Sequence, residues 1–138
     1  MGRVTSRPRD PESSNEQDTP RYDAAVAGES TLLSDLATSD LHALRLAAQV
    51  MRHKAELDSR PLVADYFARL GNAATGELAL RGEALRVIPA PTPLGLAPGA
   101  DAEDRRVLGE YLTLLVANER LPQALRDVSR RLRTRDCR

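Results

Sequence analysis

Four stretches between about Thr38 and Arg135 repeat apolar residues at alternating spacings of three and four, and this period constrains the chain more than any other feature. In the first, Leu41, Leu44, Ala48, Met51 and Ala55 fall on one stripe of a helix running to about Leu57. The second puts Val63, Phe67, Leu70, Ala74 and Leu78 on one face, with Leu62, Tyr66 and Ala73 beside them. Leu108, Tyr111, Leu112, Leu115 and Val116 form the third, and Leu121, Leu125, Val128 and Leu132 the fourth. The expected fold is all-α: a small bundle of three to four helices arranged as two antiparallel helical hairpins.

Turn chemistry divides the stripes. Thr38 or Ser39 is expected to cap the first helix, with Asp40 at the positive end of its dipole and a short turn, Leu32 to Ala37, ahead of it. Asp58-Ser59-Arg60-Pro61 ends that helix, Ser59 suiting an N-cap and Pro61 the first turn of the next, where its missing N–H costs nothing. Gly71, Gly76 and Gly82 each cost roughly 1 kcal/mol against Ala in a helix interior. Close approach to a neighbouring helix is expected at Gly71, and fraying after Gly82. Residues 89–99 hold four prolines and two glycines, which makes them an extended connector. Asp101, Glu103 and Asp104 load the first turn of a third helix with negative charge, and Pro122 opens the fourth after a break at Asn118 to Leu121.

A chain of 138 residues supplies one domain. Residues 1–29, interrupted by Pro8, Pro11 and Pro20, hold too few large apolar side chains to offset ordering entropy and read as a disordered segment. Tyr22 and Val26 are the only local docking points there. Residues 30–135 form the helical domain and 136–138 a tail. The formal net charge is zero, which removes a global pull toward polyanions, but it is unevenly spread. Residues 1–30 carry −2, residues 31–119 carry −3 and residues 120–138 carry +5.

The single cysteine rules out an internal disulfide, no apolar run reaches the roughly 18–20 residues that span a bilayer, and Met1 to Asp23 lacks the apolar centre of a secretory signal. The expectation is a cytoplasmic protein without membrane contact. Nineteen Arg against one Lys, with abundant Ala and Leu, points to a GC-rich bacterial origin.

Residues that carry chemistry are scarce. His42 and His53 are eleven positions apart, roughly 16 Å along a helix, too far for one ion, and neither Glu-x-x-His nor His-x-x-x-His spacing occurs. Cys137 sits among Arg135, Asp136 and Arg138, where arginine would lower a thiol pKa, but as an exposed terminal thiol it lacks the second group that nucleophilic catalysis needs. Glu77 interrupts the apolar face of the second helix and has Arg81 four residues on as an ordinary ion-pair partner. No phosphate-binding glycine loop, Gly-x-Ser-x-Gly or Ser/His/Asp set is present. No catalytic residue, metal ligand or cofactor is assigned.

Candidate interaction residues lie on the fourth helix. Arg126, Arg130, Arg131 and Arg133 make a basic face suited to phosphates or an acidic protein surface, and they also complement the negative end of the helix dipole. Leu121, Leu125, Val128 and Leu132 make its apolar stripe. Neither aromatic interleaving nor a helix-turn-helix pattern accompanies the arginines, so a protein partner or a homodimer is preferred to nucleic acid.

Leu44-Arg45-Leu46, the run Arg60 to Leu70, the Asp-Arg…Leu…Tyr segment from Asp104 to Tyr111 and the run Leu121 to Leu132 follow one another in an order that resembles the small subunits of adenosylcobalamin-dependent diol and glycerol dehydratases. The Pro-rich connector departs from that pattern. The resemblance implies an accessory small subunit of a multi-subunit enzyme.

The expected function is that of a non-enzymatic interaction or regulatory subunit acting through protein–protein contacts. Ala-rich stripes with only Tyr66, Phe67 and Tyr111 as aromatics bury modest area, and at roughly 25 cal/mol per Å² a monomer gains thin stability, which a second chain would augment. The alternatives are the accessory enzyme subunit and a nucleic-acid-binding regulator that uses the Arg-rich helix.

Overall fold

A computed structural model describes residues 32–85 and 93–137, and all regular structure among them is helical. The segment expected to be disordered, 1–29, and the connector up to residue 92 lie outside the described residues. After a helical turn at residues 32–34 come α1 (Thr38–Leu57), α2 (Pro61–Leu80), α3 (Ala102–Ala117) and α4 (Gln123–Asp136). Each of the four apolar stripes has thus become a helix, except that Leu121, expected on the fourth, lies in the turn before α4.

The first two helices start where expected, but neither expected capping side chain serves as the cap. α1 begins at Thr38 itself, with Ala37 at the N-cap and no side-chain cap. The Thr38 hydroxyl instead accepts a hydrogen bond from Arg81 Nη1 (3.2 Å), while Arg81 Nη2 donates to the Ser34 carbonyl (3.0 Å). One guanidinium at the end of α2 thereby fastens the turn that precedes α1, where Leu33 and Leu36 enter the core.

Ser59 does not cap α2. It stands at φ +59°, two residues past the end of α1, in the left-handed conformation usually given to glycine. The Arg60 amide returns to the Ala55 carbonyl (2.8 Å) and the Ser59 amide to the Glu56 carbonyl (3.1 Å), the paired bonds of a Schellman motif. A three-residue reversal between two long helices requires that conformation, so Arg60 takes the N-cap position with no side-chain bond, and Pro61 opens α2 as expected. The same motif closes α2: Gly82 has φ +84°, and the Glu83 amide bonds to the Leu78 carbonyl (3.1 Å). α3 begins with a capping box, Asp101 accepting from the Asp104 amide (2.9 Å) and Asp104 from the Asp101 amide (3.1 Å).

The extensive helix–helix contacts are those of α1 with α2 and of α3 with α4, with narrower ones between α1 and α4 and between α2 and α3. Gly71 faces Ala48 across the first pair, where an added Cβ would stand 3.6 Å from the Ala48 methyl. The close approach expected there is present, with room for one methyl group. One continuous core joins the helices, its centre formed by the edge-to-face pair Tyr66–Phe67 (5.4 Å) and by Phe67 stacked with Tyr111 (6.2 Å).

Candidate interaction surface

The residues expected to meet a partner on α4 are largely occupied within the chain. Leu125, Val128 and Leu132 are buried in the core and Leu121 is packed against it, so the apolar stripe of α4 is consumed in holding α4 on its neighbours. Arg126 Nε donates to the Val116 carbonyl (2.9 Å), capping the end of α3, and Arg133 Nη1 donates to the Thr113 hydroxyl (2.9 Å). Arg130 pairs with Asp127 (2.9 Å). Among the described residues, Arg131 alone of these four makes no side-chain hydrogen bond or ion pair. It edges a shallow groove of about 630 Å³ with Arg130, Thr134 and Arg135, and Arg135 itself bonds to Asp136 and to the Leu94 carbonyl. The basic face is therefore a short patch at the end of α4 rather than a row of four open guanidinium groups.

The titratable side chains are paired structurally. His42 meets Glu83 (3.1 Å), and His53 lies 4.0 Å from Glu56. No group of three metal-ligating side chains occurs among the described residues. Glu77 and Arg81 form the i,i+4 pair read from their spacing (3.3 Å). The buried Tyr66 hydroxyl donates to Asp136 (2.7 Å), and burial, with the Asp136 carboxylate beside it, pushes its pKa up.

At the α1–α2 turn the Tyr111 hydroxyl donates to Asp58, while Lys54 pairs with Asp58 (3.4 Å) and lies over the Tyr111 ring (5.3 Å). The phenol bond holds the Asp58 carboxyl below its ordinary range, and burial pushes Tyr111 up to about 12. Cys137 is half-buried rather than exposed, beside Gly109, where an added Cβ would stand 3.8 Å from its sulfur, and burial followed by the Asp136 charge pushes its thiol up to about 11. Desolvation outweighs the neighbouring arginine, reversing the direction inferred from the sequence. At neutral pH the two phenols and the thiol hold their protons and Asp58 is ionised, so none of these groups is poised for acid–base or nucleophilic work.

The surface that sequence reasoning missed is the outer side of α1. Leu46, Val50 and Leu57 are 64, 62 and 73% exposed, and with Ala43 and His53 they follow spacings of three, four, three and four. This is the period of the buried stripe displaced by two residues, which turns it roughly 200° around the helix, away from α2. The face of α1 toward the core is filled, while on the other side Leu46, Val50 and Leu57 are exposed and Ala43 is half-buried against the core. The signal was present as a second, interleaved repeat, but Leu46, Val50 and Leu57 each sit beside a residue of the first repeat or a charge, and the stronger series absorbed the pattern. Leu80 and Leu114, also exposed, stand on other helices.

The exposed face carries little charge of its own, but at its edge Arg45 and Arg52 line a pocket with Leu46 and Gln49. The face is flanked by Ala47 and Lys54 on one side and Gln49 on the other, and the Lys54 ammonium is directed to Asp58 and Tyr111. Farther round, Arg52 pairs with Glu56 (3.5 Å). Comparison of the chain with family models, with curated proteins and with solved structures finds no match. No described helix is long and apolar enough to cross a membrane.

Proposed function

We propose that the protein is a non-enzymatic binding subunit that acts through protein–protein contact, with its two helical hairpins serving as the frame that presents the outer face of α1. The observation that carries this reading is the exposed stripe Leu46, Val50 and Leu57, large aliphatic side chains kept in water on a helix whose opposite face is already packed. Such a face costs solubility and is maintained where a partner covers it. The regulatory role and the cytoplasmic setting belong to the same reading. A photo-reactive residue in place of Val50, introduced in cells of the native organism, should cross-link to a protein identifiable by mass. The same residue in place of Glu110, on the exposed side of α3, should not. Absence of a product at position 50, or equal labelling at both positions, would sink the proposal.

A second reading, nucleic-acid binding, is supported by one feature, the patch of Arg130, Arg131 and Arg135. In that case affinity falls steeply with salt, and Arg131→Gln weakens it more than Arg126→Gln, because Arg126 is bound to the Val116 carbonyl. The accessory-subunit alternative would use the same α1 face to join a larger enzyme.

A further inference from the structure

We infer that the cleft between α1 and α2 beside Gly71 is a binding site for a carboxylate, held by Arg45 with Gln49, Arg52 and Asn72 around it. The inference goes beyond the reading of the outer α1 face and does not depend on it.

Arg45, Gln49 and Arg52 recur on α1 at spacings of four and three, a polar stripe set between its buried series and its exposed one. All three line the cleft, and Asn72 joins them from α2. Ala68 and Gly71 also line it, and their small size leaves a hollow of about 200 Å³ between the helices.

The lining is rich in donors and holds no acidic residue. Among the described residues, Arg45, Gln49 and Asn72 make no side-chain hydrogen bond or ion pair. The Thr75 hydroxyl, on the same wall, is engaged by the Gly71 carbonyl (2.9 Å). Arginine-lined hollows elsewhere differ. Glu110 lines the one beside Arg105 and Arg106, and at the end of α4 Arg130 and Arg135 are held by Asp127 and Asp136.

Charge and size set the class of ligand. Glu56 offsets Arg52 (3.5 Å), so one guanidinium, that of Arg45, is left uncompensated and calls for a single negative charge. Its planar fork matches a carboxylate through two parallel hydrogen bonds, and each side-chain amide adds an N–H donor. The hollow is smaller than the roughly 300–1,000 Å³ that hold drug-sized ligands, which restricts the occupant to a small acid or one acidic side chain.

Titration of the isotope-labelled full chain with sodium acetate tests this by nuclear magnetic resonance, with ionic strength held constant by sodium chloride. The Arg45 side-chain Nε signal and the side-chain amides of Gln49 and Asn72 should shift together and saturate with one dissociation constant. Arg105 and Arg131, which also make no side-chain bond, should shift little and without saturation. Arg45→Gln should weaken binding about tenfold or more, and Arg45→Lys, which keeps the charge but loses the fork, by less. Both variants should keep the circular dichroism and melting temperature of the parent, since Arg45 bonds to nothing in the fold. Inorganic phosphate near pH 8 is mostly a dianion, whose second charge meets Glu56 in place of a free cation, and should bind no tighter than acetate.

A blocked glutamate, N-acetylglutamate amide, separates the sources of the carboxylate. Binding as tight as acetate's supports an acidic protein side chain, and binding of acetate alone supports a free acid. Equal shifts at Arg45, Arg105 and Arg131, saturation that survives Arg45→Gln, or tighter binding of phosphate overturns the inference. Cross-linking at position 50 reports on the proposed function alone: its failure leaves acetate saturation in place, and loss of acetate binding leaves the cross-link in place.

Discussion

Ser59 spends its existence in the folded chain at φ +59°, where its Cβ crowds the backbone, because the reversal between α1 and α2 leaves no other conformation. Ser59→Gly relieves that crowding and should stabilise the protein by roughly 1 kcal/mol, seen as a raised melting temperature with unchanged circular dichroism. Cys137 tests the opposite kind of residue, one whose chemistry is suppressed by its surroundings. With its thiol pushed from 9.0 up to about 11, the thiolate fraction near pH 8 is roughly a hundredfold below that of an unperturbed cysteine, and alkylation of the native protein should slow accordingly. The sign for stability follows. The raised value favours the folded state below about pH 9, and this contribution is lost as pH rises through about 11. A Cys137→Ser variant should therefore show a shallower fall in melting temperature across that window. Alkylation at the rate of free cysteine would show the packing against Gly109 to be absent.

At the scale of the helix, α2 contains two glycines whose cost is not repaid by a special conformation. A methyl at Gly71 would reach ordinary contact with Ala48, and one at Gly76 would meet nothing within 4 Å. Gly71→Ala and Gly76→Ala should each add about 0.5–1 kcal/mol, measured by denaturant titration; a loss at Gly71 would mean that the added methyl does not find ordinary contact with Ala48.

The helices were legible because the 3.6-residue period survives in any sequence that buries one face. The side chains at their N-caps were not, since Thr38 bonds Arg81 and Ser59 serves the helix behind it, choices set by residues 43 positions away or by the geometry of a reversal. The acidic first turn of α3 was readable because a capping box is local. The candidate surface was misplaced for a related reason: periodicity says that the stripe of α4 is apolar, but not whether its partner is another helix of the same chain.

For the molecule as a whole, a few polar bonds fasten the α3–α4 pair to α2 and the connector. The Tyr66 hydroxyl donates to Asp136 across the core and Arg135 reaches the Leu94 carbonyl, while Arg69 of α2 holds the connector itself at the Pro93 carbonyl (3.5 Å). Tyr66→Phe leaves the largely buried Asp136 carboxylate short of a donor and should cost about 1–3 kcal/mol by denaturant titration, with the helices retained. A change within about 0.3 kcal/mol would show that Arg135 alone satisfies Asp136.

The Tyr66–Asp136 bond spans seventy residues, whereas α1–α2 is closed by a three-residue turn and α3–α4 by a short one. Contacts so different in loop length carry different entropic costs, and the local pairs repay theirs first. We predict on this ground that the long-range bond forms late in folding, after the rate-limiting barrier. In stopped-flow experiments Tyr66→Phe should therefore leave the refolding rate nearly untouched and appear almost entirely as faster unfolding, making this one hydroxyl a determinant of how long the native state lasts rather than how quickly it is reached.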